Sequence, residues 1–228
     1  MRRFTIYCGG VVLLALSASA SASTFTFDKD PFDGTPVLHI PGRQLVGGEE
    51  FISFSPDKDV FDFDAKALGL SDPVQFVNAT ASGIPATGVN IVVLETFDND
   101  NDPLTPFGAT NAADLIADRV TTPGPGLFIY FNQNLNLARL VYSADLSDNT
   151  ADLRVLARML NLFGDEGKNE LPKFTAANFE ITNSGTTATA PEPSSLIMLL
   201  GAAVAFGCHS LRRKWRIGRS RLASETEA

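Results

Sequence analysis

Short apolar segments separated by turn-forming residues run through the middle of the chain. Several of them alternate apolar and polar side chains, as Phe61 and Phe63 do against Asp62 and Asp64. Alternation of this kind has the period of a half-buried strand. Clusters of Pro, Gly, Asn and Asp, such as DNDNDP and TTPGPG, separate the segments. The pattern predicts strands at 51–55, 60–65, 74–81, 89–97, 126–133 and 138–146.

Three further segments complete the predicted secondary structure. An asparagine cap followed by apolar positions on one face predicts a short helix over 111–120. Segment 151–163 fits both the helical and the strand period, and we favour a strand that pairs back on 138–146 across SDNT. Segment 174–181 is predicted to be the last strand.

Many short strands with regular turn signals predict a mainly β fold. The expected architecture is a single antiparallel β-sandwich, with a jelly roll as one form of it. At most one or two short helices accompany the strands. The domain is predicted to span residues 23–181.

The first 22 residues have the order of a secretory signal peptide. Arg2 and Arg3 precede an apolar stretch centred on 11–16, and the small residues 17–23 offer cleavage after Ala20 or Ala22. The alternative is an uncleaved anchor helix, which the short apolar stretch disfavours. The signal implies the Sec export machinery and signal peptidase as partners.

The C-terminal region carries a second apolar segment with a basic end. Residues 196–208 contain no charge, and a helix over 194–211 is just long enough to cross a bilayer. A buried core helix is the alternative, but a basic cluster follows directly. Basic residues stay on the cytoplasmic side, so the preceding domain is expected outside the inner membrane. That cluster begins with Arg212, Arg213, Lys214 and Arg216.

Two prolines around a glutamate stand before this helix, at Pro191, Glu192 and Pro193. The order of this motif, the apolar helix and the basic tail resembles the PEP-CTERM sorting signal of Gram-negative bacteria, over residues 191–228. The resemblance implies that an exosortase, a membrane-embedded transpeptidase, recognises the three residues and processes the protein for the surface or the medium. It also implies a role alongside exopolysaccharide in a biofilm matrix. The Thr-rich stretch 182–190 is expected to be a flexible linker.

Charge divides sharply between the domain and the tail. Residues 23–190 hold 10 basic and 23 acidic residues, a net charge of −13, whereas the whole chain carries −8. Such a domain repels nucleic acid and anionic lipid, so nucleic-acid binding is disfavoured.

Cysteine and histidine usage limits the possible chemistry. Cys8 and Cys208 both lie outside the domain, and His39 is its only histidine. Disulfides, a cysteine nucleophile and thiolate or multi-histidine metal sites are therefore excluded from it.

The alternating carboxylates Asp98, Asp100 and Asp102 are the candidate metal ligands. Carboxylates spaced by two can converge on calcium if the loop curls, although Pro103 stands where an EF-hand needs glycine. The alternative is a solvated turn in which the side chains bond the backbone. Asp28, Asp30 and Asp33 form a weaker version of the pattern.

Other acidic and aromatic residues favour structural roles. Asp62 and Asp64 are expected on the solvent face of their strand, and Glu49 and Glu50 on a loop surface. The tyrosines at 130 and 142 are expected in the core.

The sequence as a whole favours a non-enzymatic exported protein. No catalytic constellation is found. A secreted glycan hydrolase that uses carboxylates alone is the first alternative, and two acids 5–10 Å apart in one cleft would support it. An ice-binding or adhesin-like module is the second.

Overall fold

The computed structural model describes residues 21–35, 43–102 and 104–183. The sorting motif, the expected membrane helix and its basic tail lie outside the described residues, as do most of the signal peptide and of the linker. Of the described residues, 33% are in strands and 19% in helices, so the prediction of a mainly β protein is confirmed.

Ten strands and three α-helices follow one another in the described residues. They are β1 (Thr24–Phe27), β2 (Leu45–Val46), β3 (Glu50–Ile52), β4 (Val60–Asp64), α1 (Ala65–Leu68), β5 (Phe76–Ala79), β6 (Ile91–Leu94), α2 (Ala109–Ala117), β7 (Gly126–Asn132), β8 (Leu137–Ser143), β9 (Leu153–Phe163), α3 (Gly164–Glu170) and β10 (Phe179–Thr182). Three 3₁₀ turns are interspersed, at Ala81–Gly83, Leu171–Lys173 and Ala176–Asn178.

Most predicted elements occur where the sequence placed them. Each of the six predicted strand segments contains a strand, and the ambiguous segment 151–163 is strand β9, which pairs antiparallel with β8. The expected helix is α2, whose N-cap is Gly108, with Asn111 in the first turn. The last strand, β10, runs through Thr182. The expected maximum of two helices is wrong, because α1 and α3 accompany α2.

The strands form two sheets. The small sheet has the order β1-β4-β10, and both of its pairs are parallel. The large sheet has seven strands in the order β2-β9-β8-β7-β6-β5, with β3 also on β9. Only β7, β8 and β9 are joined by antiparallel pairs, while β5, β6 and β7 run parallel to one another.

The prediction of an antiparallel sandwich, and with it a jelly roll, is therefore wrong in strand direction. Every residue of β6 and β7 is buried, so neither strand has a solvent face. Continuous apolar strands of this kind are typical of parallel sheets that are covered on both faces. The connection from β6 to β7 carries α2 and crosses over the sheet, which lets the two strands run in the same direction.

Side chains from both sheets form the first core cluster. Phe61 and Phe63 of β4 are fully buried and meet the face of the large sheet that carries Ile129. Phe54 stacks on Phe61 with 4.1 Å between ring centroids, and on Phe174 with 5.3 Å. These stacked aromatic contacts bury large apolar area within the first cluster.

Helix α2 covers part of the opposite face of the large sheet. Its buried residues Ala112, Ala113 and Ile116 belong to a second cluster with Phe128 of β7 and Val141 of β8. The small alanine side chains let the helix approach the sheet closely. The helix covers the second cluster, and the polar site described below lies on the same face of the sheet.

Candidate functional site

An irregularity at the edge of the large sheet brings several charged side chains together. Strands β2 and β3 both pair with β9, but the four-residue step from Val46 to Glu50 matches a three-residue step on β9. The extra residue lies in the sequence Gly47-Gly48-Glu49, which we call the Gly48 bulge. Bulges redirect side chains and are frequent next to functional sites.

Gly48 makes the bulge possible. Its φ of +98° lies in a region that residues with a side chain rarely adopt. A Cβ at this position would also lie 3.2 Å from Nη2 of Arg154. The backbone conformation therefore favours glycine here, and a larger residue would also have to displace the Arg154 guanidinium slightly.

The bulge turns Glu49 toward two arginines on the α2 face of the sheet. Arg139 of β8 donates to Glu49 Oε1 at 2.7 Å, and Nε of Arg158 on β9 donates to the same oxygen. The side chains of Glu49 and Arg139 are only 6% and 10% exposed. Arg158 also lies over the ring of Phe51, 5.3 Å from its centroid. The expected surface position of Glu49 is thus wrong.

Tyr130 and Asn132 extend this cluster along β7. The hydroxyl of Tyr130 accepts hydrogen bonds from Asn132 Nδ2 at 2.9 Å and from Arg139 Nη1 at 3.4 Å. Burial raises the pKa of Tyr130, so it stays a neutral phenol. Nε of Arg139 is buried without a hydrogen-bond partner among the described residues.

The carboxyl of Glu49 is ionised throughout the ordinary pH range. Burial by itself raises its pKa, but hydrogen bonds from its own N–H and from Arg158, with the charges of both arginines, outweigh burial and lower the pKa to about 2. A group held as an anion in this way is a clamp between strands. It is unsuited to donate a proton as a general acid.

The opposite side of the bulge opens into a cleft of about 230 Å³. Its apolar lining includes Phe27 of β1, Leu68 of α1 and Leu156 of β9, all buried. Arg154 and Gly48 lie at the bulge side of the cleft. Lys29 also lines the cleft. The remaining charged lining residues are acidic. They are Asp28, Asp30, Asp33 and Glu50.

Tyr142 lies next to this cleft region. Its hydroxyl donates to the carbonyl oxygen of Leu68 at 2.9 Å, and its ring meets Phe32 edge-on. Burial, with the negative charge of Asp30, raises the pKa of Tyr142 to about 12. Both tyrosines of the domain are therefore buried, as the sequence predicted.

The candidate calcium ligands face their own loop. Oδ1 of Asp98, Asp100 and Asp102 each accepts the backbone N–H two residues further on, the last from Leu104. The hydroxyl of Thr105 donates to Asp100 Oδ2 at 2.6 Å, and together with the backbone bonds it lowers the pKa of Asp100. Within the part of the chain that the structure describes, no group of three or more His, Cys, Asp or Glu residues could hold a metal ion.

Asp62 and Asp64 have separate structural roles. Asp62 accepts the hydroxyl of Thr182 at 2.8 Å, across the pair between β4 and β10. Asp64 is buried and caps α1, since its Oδ1 accepts the N–H of Ala67 at 2.8 Å. The expected solvent-face position is thus wrong for Asp64, because a helix begins directly after the strand.

Comparison with known proteins gives no family assignment: no protein-family model, curated protein or solved structure matches the chain. Within residues 21–35, 43–102 and 104–183, no helix is long and apolar enough to cross a membrane. The sorting residues 191–193 and the basic residues 212–216 lie outside the described part.

The sequence did not predict the Gly48 bulge, the ion pairs of Glu49 or the cleft on the other side of the bulge. The consecutive glycines before two glutamates were the only local signal. Two glycines between short strands on the same edge indicate a bulge. The partners of Glu49 are 90 and 109 residues away, so no local pattern could identify them.

Proposed function

We propose that this is an exported protein of the cell surface or extracellular matrix, processed at its C-terminus by an exosortase-type transpeptidase. One observation carries the proposal: the motif at Pro191–Pro193, an uncharged apolar stretch and a basic cluster follow one another in the order of a sorting signal. The signal-peptide pattern at the N-terminus supports the same route. Exosortase and exopolysaccharide are the proposed partners.

The described domain supports a structural or interaction role outside the cell. Its core contains side chains from two sheets, which supports a two-sheet sandwich as its framework. It holds no cysteine, so it does not rely on disulfides. The ion pairs of Glu49 tie the β2–β3 edge to β8 and β9.

The pKa shifts of the carboxyl groups give little support to a hydrolase. A retaining or inverting glycosidase needs one carboxyl whose pKa is raised so that it can donate a proton. Among the described carboxyls with a shifted pKa, Glu49, Asp100 and Asp148 are all shifted downward. Hydrogen bonds from the backbone and hydroxyl of Thr150 are the main cause at Asp148.

Mass spectrometry of intact protein from the secreted and membrane fractions tests the proposal. The expected N-terminus is residue 21 or 23, and the expected C-terminus lies near Pro191–Pro193. Replacing all three motif residues by alanine should leave the full C-terminus and retain the protein in the membrane. A matched variant with Glu225→Ala and Glu227→Ala, in the tail beyond the cut, should be processed normally. Secreted protein that still ends at Ala228 would overturn the proposal.

A further inference from the structure

Arg154 differs from the other arginines that are wholly or partly buried in this domain. Arg43 pairs with Asp114 at 2.8 Å, and Arg139 and Arg158 pair with Glu49. Arg154, on the cleft side of β9, has no hydrogen bond or ion pair among the described residues. Its guanidinium offers five donors in a planar fork that matches a carboxylate.

The Gly48 bulge lies close to this arginine. A Cβ added to Gly48 would lie 3.2 Å from Arg154 Nη2, so the backbone of the bulge passes near this guanidinium. Arg154 pairs with Val46 on one side and Tyr142 on the other, so its backbone is fixed within the sheet. The Arg154 side chain therefore extends into the lining of the cleft from a fixed backbone position.

The size of the cleft limits the ligand to a small molecule. Drug-sized ligands occupy pockets of roughly 300–1,000 Å³. The volume here is about 230 Å³, and Phe27, Leu68 and Leu156 supply an apolar wall. One short apolar group fits beside this wall, whereas a chain of several sugar rings would extend beyond it.

Charge limits the ligand further. Four acidic residues, Asp28, Asp30, Asp33 and Glu50, line the cleft together with Arg154 and Lys29. A phosphate or another dianion would be attracted by Arg154 but repelled by this lining. A molecule with a carboxylate at one end and an ammonium group near it satisfies both signs of charge.

We propose that this cleft binds a free α-amino acid with an apolar side chain. The carboxylate binds the guanidinium of Arg154, the ammonium group is held by the acidic lining, and the side chain lies against the apolar wall. This binding is independent of the C-terminal processing proposed above. It gives the exported domain a ligand of its own.

Isothermal titration of the full-length protein in detergent with L-leucine as the probe tests this inference. Leucine should bind, whereas leucinamide, which lacks the carboxylate, and N-acetylleucine, which lacks the ammonium group, should bind at least about tenfold more weakly. Glucuronate tests whether any hydroxylated carboxylate suffices, and inorganic phosphate tests simple anion binding.

Two variants connect the binding to named residues. Arg154→Gln should weaken leucine binding at least about tenfold, and Glu50→Gln should weaken leucine more than it weakens N-acetylleucine. Arg119→Gln, which removes an exposed arginine after α2, should bind as the wild type does. Thermal unfolding of each variant verifies that it is folded.

Four results would contradict the proposed amino-acid site. Absence of leucine binding up to ~10 mM would overturn the proposal. Equal affinity for leucine and N-acetylleucine, or binding of glucuronate or phosphate in place of leucine, would also overturn it. Unchanged affinity in a folded Arg154→Gln variant would place any binding site elsewhere.

Discussion

Glu49 and Arg139 are 90 residues apart in the chain, yet Glu49 Oε1 lies 2.7 Å from Arg139 Nη2 with both side chains almost fully buried. Arg158 donates to the same oxygen from the next strand. One carboxylate therefore binds two guanidinium groups and links the residue before β3 to β8 and β9. This contact exists because Gly48 lets the chain bulge out of the sheet immediately before Glu49.

Glu49→Gln should destabilise the domain strongly. Glutamine keeps the shape of the side chain but leaves two guanidinium groups without a counter-charge, and breaking a buried ion pair from one side costs roughly 3–5 kcal/mol. Urea unfolding measures the loss. Asp165→Asn is the control, because it breaks an ion pair in which the Asp165 side chain is 94% exposed, and it should leave the midpoint nearly unchanged. Equal effects of the two substitutions would contradict the clamp.

Stability should fall on acidification through the titration of Glu49. Its folded-state pKa is lowered from 4.5 to about 2, so the folded state is favoured by the ionised form. The contribution is complete above pH 4.5 and is lost as the pH falls toward 2. The urea midpoints of the wild type and of Glu49→Gln should therefore differ most near neutral pH and converge in acid. A difference that stays constant over this range would show that the carboxylate charge is not responsible.

Gly48→Ala should destabilise the protein while Gly47→Ala should not. Alanine at 48 adopts a φ of +98° only with strain, and its Cβ crowds the Arg154 guanidinium. Strain of this kind costs about 1–3 kcal/mol. At Gly47 a Cβ meets only Glu49 Oε2, at an ordinary 3.5 Å. Thermal unfolding of the two variants side by side measures the difference, and a reversed order would refute the assigned role of the bulge.

Calcium should leave the unfolding temperature unchanged. Asp98, Asp100 and Asp102 already accept backbone N–H groups of their own loop, so binding a cation would compete with those contacts. Any ligand that binds the folded state alone raises stability. The measurement is thermal unfolding in chelator and in millimolar Ca²⁺. A saturable rise in Ca²⁺ that Asp100→Asn abolishes would restore the metal site.

The sequence predicted the strands better than it predicted their pairing. Phe61 and Phe63 alternate with polar residues, so local periodicity identified β4 and its buried face correctly. Local periodicity does not reveal strand direction, because parallel and antiparallel strands share the same period. The signal for parallel pairing was the unbroken apolar run of β6 and β7, which requires cover on both faces.

The candidate sites also depend on contacts between distant residues, which local sequence does not reveal. The chemistry of Asp98, Asp100 and Asp102 could be judged locally, and the solvated-turn interpretation describes the contacts that these residues make. Glu49 was expected on a loop surface, together with Glu50. Its burial depends on Arg139 and Arg158, which the sheet brings to it from distant positions.

The small sheet determines how the domain responds to tension. Strand β1 begins opposite Val60 and β10 ends opposite Asp64, and both run parallel to the central β4. The two ends of the domain therefore lie at opposite ends of the sheet, about 13 Å apart along the strand axis. Pulling on them loads the hydrogen bonds of β4 in shear, all at once, instead of opening them one at a time. Resistance to extension from these two ends therefore comes from the hydrogen bonds of the whole strand together.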